Sequence, residues 1–369
     1  MKHSKAVHGA VVTATTSTTT HSLLDLITQC NNVPHDLERW LHNLNLTLTD
    51  ASGPGYAFLN VDGVRVGILT PLVAAKLAAD ESHAFSLDAP TAAWSVPTLE
   101  LLNPQNNDGS ETLSATQICD VRSGWIAAVV AKWRAEDAFP ALRGWRDELY
   151  PVYGAGGSVV FTIERAASGL FGVRTFGCHM TAYTLDEGVS HPHTSLHVWL
   201  ARRSLKKPTF PGMIDNTAAG GLPAYQSPRD CIVREAHEEA TISEKYATQH
   251  VVSGGAVSYF QLQEHLESLG GIAGAETQFV YDLQVARDFV PRVNDGEVLG
   301  FTKLSVSDVM QVLRSGQFKP NCAVVMIDFL VRHGYVTAEN EPDFLAIVNG
   351  MRRPLEWDFA GPGNGSWRT

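Results

Sequence analysis

The sequence predicts an α/β chain of the α+β type, a mixed β-sheet sandwiched between helices and preceded by a smaller α+β domain. Three observations carry this expectation. At 369 residues and 44% hydrophobic composition the chain is long enough for one large domain or two ordinary ones. Beyond residue 150 strands outnumber helices and do not alternate strictly with them, which argues for a mixed sheet flanked by helices. Before residue 150 helical and strand patterns are interleaved on a smaller scale. The expected division is a disordered tail at 1–22, an α+β domain at 23–150, a larger domain at 151–350 and an irregular tail at 351–369.

Taken in order, "SLLDLITQCNNV" has apolar residues three and four apart and predicts a short amphipathic helix. "YAFLNVDGVRVGILT" alternates about Asp62-Gly63, a hairpin signal. Asn103–Ser114 is polar and turn-rich and reads as an exposed loop. "QICDVRSGWIAAVVAKWRAEDAF" predicts a helix with Trp125, Val129 and Trp133 on one stripe. The glycines at 154, 156 and 157 lead into the strand "SVVFTIERA" rather than a helix, so they predict a turn and not a phosphate loop. "FGVRTFGCHMTAYTL", "TSLHVWLARRS", "GAVSYFQLQ" and "ETQFVYDLQV" read as strands. "RDFVPRVNDGEVLGFTKLSVSDVMQVLRSGQF" reads as strand, loop, strand and helix, and a helix follows Pro320.

The charge balance, 39 acidic against 28 basic residues for a formal −11, predicts no nucleic-acid partner. It leaves room for a phosphate-rich small molecule whose charge is met by metal ions. The five scattered cysteines form no C-x-x-C pair, which speaks against a disulfide framework or structural zinc and for a reducing compartment. No apolar run approaches the ~18 residues of a membrane span. A cytoplasmic protein is expected, with a mitochondrial one as the alternative because the N-terminus is rich in Thr and Ser and lacks acids; it also lacks arginine. His191, His193 and His197 share no helical face and do not suggest a zinc site.

The chemistry-bearing stretch is "GGLPAYQSPRDCIVREAHEEATI", residues 220–242. Ser227 suits an N-cap, Pro228 the first helical position and Asp230 the acidic partner of a capping box. The helix predicted from Pro228 places Glu235, Glu238 and Glu239 on one side and Val233, Ala236 and Ala240 on a core side. Exposed like-charge pairs cost only a few tenths of a kcal/mol each. A solvated acidic face and a site for a hard cation, Mg²⁺ or Mn²⁺, are therefore both open on the helix alone.

This stretch resembles the Nudix box, G-x5-E-x7-R-E-U-x-E-E-x-G-U with U aliphatic. Gly220, Arg234, Glu235, Ala236, Glu238, Glu239 and Ile242 match in register; Gln226 stands for the first Glu and Thr241 for the last Gly. The resemblance implies a Nudix fold, with 151–350 as the hydrolase domain. It implies Gly220, Glu235, Glu238 and Glu239 as metal ligands, with Glu235 helping to activate water and Arg234 orienting it. Gln226 would alter fine tuning, and Thr241 would require a different helix C-cap.

Flanking stretches such as "LRGWRDELYPVYG", "WLARRSLKKPTFPGMIDNTAAGG" and "DFVPRVNDGEVLGF" resemble, more narrowly, the group related to the N-terminal Nudix half of fungal thiamine pyrophosphokinase. That resemblance implies hydrolysis of thiamine diphosphate, above all its oxidised or damaged forms, to the monophosphate, a metabolite-repair activity. Hydrolysis of a nucleoside diphosphate derivative such as ADP-ribose, and a weakly catalytic diphosphate-binding module, are the alternatives. Glu297, before a strand that could run beside the acidic helix, is either a further catalytic acid or an ordinary loop acid. Arg202, Arg203, Lys206 and Lys207 are candidate phosphate ligands or a solvated basic turn. Trp145, Tyr150 and Tyr153 could stack on a cationic ring or belong to the core. A homodimer is compatible with these features.

Overall fold

A computed structural model describes residues 20–48, 53–82, 84–88, 96–104, 113–186, 196–262, 274–294 and 296–355. Nearly all of the tail at 1–22, most of the loop at 103–114, the end of the tail at 351–369, and His191 and His193 lie outside the described residues.

From Ala57 to Val173 most of the chain builds one core. Strands β1 (Ala57–Val61) and β2 (Val64–Leu69) form the hairpin, with Asp62 and Gly63 at φ 55° and 72° as a two-residue turn of this kind requires. Strands β3 (Phe85–Asp88) and β4 (Thr98–Leu101) complete a four-stranded sheet in the order β2-β1-β4-β3, with β1 and β4 parallel. Before them lie α1 (Leu23–Cys30) and α2 (Leu37–Leu46), and α3 (Pro71–Ala78) follows β2. The long α4 (Ala115–Ala135) buries Val129 and Trp133, with Trp125 packed beside them. Its core also takes in the antiparallel hairpin of β5 (Leu149–Tyr153) and β6 (Val159–Glu164), through Tyr150, Val152, Phe161 and Ile163. Gly156 and Gly157, at φ 71° and 77°, make the turn between those strands.

The second half is the larger mixed sheet. Its path is β11 (Val252–Phe260), β12 (Ala275–Gln284), β7 (Thr175–Leu185), β8 (Leu196–Arg203) and β13 (Val298–Ser305). Only the β12–β7 pairing on that path is parallel. The 11-residue β7 is shared: its later half pairs with β8, and its earlier half pairs with the short β10 (Ala218–Gly221). The two-residue β9 (Ile214–Asp215) pairs with β8.

Alternation along β7 sorts the two faces. Phe176, Cys178, Met180 and Ala182 pack on α5 (Pro228–Ala240), with α6 (Glu244–His250) behind it. On the other face Val198, Leu200, Tyr259 and Val280 pack under α7 (Val306–Arg314) and α8 (Pro320–Arg332). Helix α1 joins this second core, not the first, and α9 (Phe344–Gly350) closes it. The five cysteines are free and buried.

One strand expectation fails. Residues 287–293 form no strand, because Pro291 removes a ladder donor and the chain there runs as a turn toward β13. Among the described residues no helix is long and apolar enough to cross a membrane.

Candidate active site

Helix α5 starts where the sequence places it. The Ser227 hydroxyl accepts from the Asp230 N–H at 3.1 Å and donates to the Asp230 carboxylate at 2.6 Å, so Asp230 braces the cap through its side chain. Val233, Ala236 and Ala240 are buried as core residues. At the other end the expectation of a different C-cap is overturned. Thr241 itself adopts the left-handed conformation, φ 56°, donates its N–H to the His237 carbonyl, and leaves the Ile242 N–H to reach Ala236 O at 3.1 Å. The strain of a β-branched residue there is offset by its hydroxyl, which donates to Arg292 O at 2.9 Å.

The carboxylates line up along the edge of β10. Glu239 is 9% exposed and accepts from the Ala219 N–H at 2.9 Å. Burial pushes its carboxyl well above the usual range, and negative charge at Asp215 and Glu235 adds to this against the Ala219 N–H and Lys207. Burial also pushes Glu235 up, with Glu238 and Glu297 acting the same way and Arg234 opposing them. Arg234 reaches Glu235 at 2.7 Å, Glu238 at 2.6 Å and Gln226 Oε1 at 3.4 Å, so the substituted box position still touches the same guanidinium. Gly220 is fixed by close approach: a Cβ there would sit 2.1 Å from Glu235 Oε1.

These groups open on a cavity of about 910 Å³. From β10 and α5 it takes Ala219, Gly220, Gly221, Arg234, Glu235 and Glu238. Glu297 lines it as well, paired with Lys207, but the strand after it runs along β8 at the sheet edge rather than beside α5. Arg203 lines the cavity and is held 2.8 Å from Asp215. Tyr150 lines it with its hydroxyl against Gly221.

Other sequence candidates point elsewhere. Arg202 donates to Gly212 O at 2.7 Å, and Lys206 is an exposed turn residue; neither lines the cavity. Alternation along β8 explains the split between Arg202 and Arg203. Trp145 packs on the first core with Arg134 4.3 Å above its ring, and Tyr153 meets Phe176 edge-on at 5.3 Å. Both aromatics are structural.

The cavity also takes residues that carried no sequence signal: Arg146, Arg165, His179, Asp215, Glu276 and Lys319. Asp215 is buried, yet Lys319, His179 and Arg203 outweigh burial and hold its carboxyl at about 2. Burial lowers His179 to about 4, and its Nδ1 lies 2.8 Å from Asn216 Oδ1. His179, Asp215 and Cys322 stand within 4.8 Å of one another, but Arg203 and Lys319 already supply positive charge to that cluster. The Glu235–Glu238–Glu239 edge is different. Two of its carboxyls are raised by burial and mutual repulsion, with Arg234 the cation in direct contact with Glu235 and Glu238. That donor set fits a hard divalent cation.

A family model described as the NUDIX domain matches residues 188–322, and one described as a domain of unknown function, DUF4743, matches 24–175. Uncharacterized protein YJR142W of Saccharomyces cerevisiae is 36% identical over 242 residues, 64% of this chain and 69% of that protein. Chloroplastic Nudix hydrolase 20 of Arabidopsis thaliana is 37% identical over 252 residues, 68% of this chain and 63% of that protein. Nudix hydrolase 24 of the same plant is 36% identical, and the chain spans 54% of its length. Among solved structures, DR0079 from Deinococcus radiodurans aligns at TM-score 0.36 and 17% identity, over 49% of this chain and 99% of that one. The chain thus carries a NUDIX domain at residues 188–322 and has plant Nudix hydrolases among its relatives.

Proposed function

We propose that the chain is a divalent-metal-dependent pyrophosphohydrolase, using Mg²⁺ or Mn²⁺, that cleaves thiamine diphosphate or its oxidised and damaged analogues to the monophosphate and phosphate. The observation that carries the reaction class is the half-buried Glu235 and the buried Glu239, set against Gly220 and Ala219 beside a cavity lined by Arg165, Arg203, Lys207 and Arg234. The narrower substrate rests on the resemblance of the flanking stretches.

Glu235, Glu238, Glu239 and the main chain at Gly220 would hold the metal, which when bound neutralises diphosphate oxygens. Around it, Arg234 fixes the Glu235 carboxylate so that it can take a proton from the attacking water. Water adds to one phosphorus, the bridging P–O bond breaks, and the monophosphate leaves with the bridging oxygen. Arg203, Lys207 and Arg165 face the same space and would position the phosphates. Lys207 is paired with Glu297, so a phosphate that draws Lys207 away would free Glu297 as a second acid.

The test incubates the protein with Mg²⁺ and thiamine diphosphate or its oxidised form and follows monophosphate and phosphate. Metal-dependent release is expected. Brisk turnover of ADP-ribose with none of the thiamine compounds overturns the substrate and keeps the reaction class. No metal-dependent turnover of either overturns both.

A further inference from the structure

Part of the cavity wall comes from outside the NUDIX domain match. Strands β5 and β6 and the turns beside them bring Arg146, Glu148, Tyr150 and Arg165 to it. Their hairpin is tied to the loop between β10 and α5. Leu149 O accepts from the Ala224 N–H at 2.8 Å, and a Cβ on Gly221 would lie 1.9 Å from the Tyr150 hydroxyl oxygen. Gly221 follows Gly220, the residue in close approach to Glu235. A backbone hydrogen bond and a tightly packed ring thus hold this wall against the acidic edge.

Glu164, only 6% exposed, organises the wall. Its Oε1 accepts from the Arg146 N–H at 2.9 Å and the Ala166 N–H at 3.2 Å, and its Oε2 accepts from the Glu148 N–H at 3.2 Å. Two of these donors flank Asp147, which adopts φ 56° and whose carboxylate accepts from the Trp145 indole N–H at 2.7 Å. Left-handed backbone at a non-glycine residue costs about 1 kcal/mol or more, and bonds on both sides of Asp147 hold it there. The turn so fixed carries Arg146, and Arg165 follows Glu164 directly. The arginines of the cavity differ in their partners. Arg165 lies 2.8 Å from Glu148, Arg203 holds Asp215, and Arg234 holds Glu235 and Glu238. Among the described residues the Arg146 side chain makes no hydrogen bond or ion pair; only its main chain is tied down. An anchored backbone with a free guanidinium over a cavity suits an anionic group of a ligand.

We propose that Arg146, with Arg165 beside it, grips a phosphate group of the substrate, and that the domain carrying β5 and β6 thereby forms a binding wall of the active site. This rests on the diphosphate hydrolysis proposed above. The division of labour follows from the contacts. The α5 carboxylates hold metal and water, whereas Arg146 touches none of them and contributes binding through its planar fork of donors. Such a contact is made alike in the bound substrate and in the transition state, so it sets KM rather than kcat. Glu164 is the positioning residue, since it holds the main chain from which Arg146 extends.

Inorganic pyrophosphate, titrated into the full chain in chelator without divalent metal, probes this wall apart from the chemistry. Arg146→Gln should weaken its binding at least about tenfold. Arg143→Gln removes the same charge three residues away, from a side chain paired with Asp137 outside the cavity, and should leave binding within about twofold. With thiamine diphosphate and Mg²⁺, Arg146→Gln should raise KM at least about tenfold and change kcat by less than about threefold. Arg146→Lys, a point charge without the fork, should recover part of the loss. No pyrophosphate binding by the wild-type protein overturns the proposal. Equal binding by the wild type and a folded Arg146→Gln, checked by its melting curve, overturns it too. So does an equal loss in Arg143→Gln, which would report only the general charge of that face. Binding that depends on Arg146, without any metal-dependent turnover, upholds this inference while the hydrolase reading falls. Turnover with a KM indifferent to Arg146 overturns this inference and keeps the hydrolase.

Discussion

At the scale of single residues, Gly220 and Glu239 make the sharpest claims. A methyl group at residue 220 would meet the end of the flexible Glu235 side chain rather than backbone, so Gly220→Ala should fold. It should displace the carboxylate and cut turnover at least about tenfold, with a melting temperature near that of the parent. Glu239→Gln keeps the shape and the Ala219 contact but removes a charge, and should cost about a hundredfold or more in metal-dependent turnover. Thr241 tests the C-cap. Thr241→Gly relieves left-handed strain but loses the bond to Arg292, so the two nearly offset; Thr241→Val keeps the strain and loses the bond. The valine variant should be the less stable by about 1 kcal/mol in denaturant unfolding.

His179 sets a pH dependence of its own. Burial holds it at about 4, against 6.5 when unfolded, so the unfolded chain takes up the proton first as pH falls. The stability contributed by the neutral ring is whole above about pH 6.5 and is lost on the way down to about pH 4. The loss is on the order of 3 kcal/mol. Unfolding of His179→Gln compared with the parent across that window should show the difference shrinking as pH falls.

At the scale of elements, α5 was legible because local rules and packing agree. Ser227, Pro228 and Asp230 fix its start, and its apolar positions fall under β7. Ser227→Ala should destabilise the protein by about 1 kcal/mol without changing which residues are helical by circular dichroism. The strand expected after Arg287 was not legible, because Pro291 outweighs a short apolar run that periodicity alone would accept. The basic stretch at 202–207 shows a finer limit. Composition marks it as cationic, but pairing along β8 sends Arg203 into the cavity and Arg202 away from it.

At the scale of the whole molecule, the two ends of the described chain meet on the second core. Helix α1 buries Leu23, Leu26, Ile27 and Cys30 beside α8 and α9. Arg353, only 3% exposed, donates to Asn31 Oδ1 at 3.0 Å, to Pro34 O at 2.7 Å and to Val33 O. Ile27→Ala should cost about 2–5 kcal/mol, because the pocket it leaves is walled by other elements and cannot collapse. Arg353→Ala should cost about 3 kcal/mol by removing the donors to the Val33 and Pro34 carbonyls. Both variants should lower thermal stability of the domain that carries α5, although residue 27 lies far from it in sequence.

The sequence by itself determined the mixed sheet, the acidic helix with its cap, and the register that brings Glu235, Glu238 and Glu239 to one side. These follow from spacing within a few turns of chain, where periodicity and capping act. Only the tertiary structure decided which cations and acids face those carboxylates. Glu276, His179, Asp215, Lys319 and Arg165 come from five separate segments, and only strand pairing and the placement of α8 bring them to one cavity. Local spacing carries no record of such long-range pairing, and so that part of the site had no signature to read.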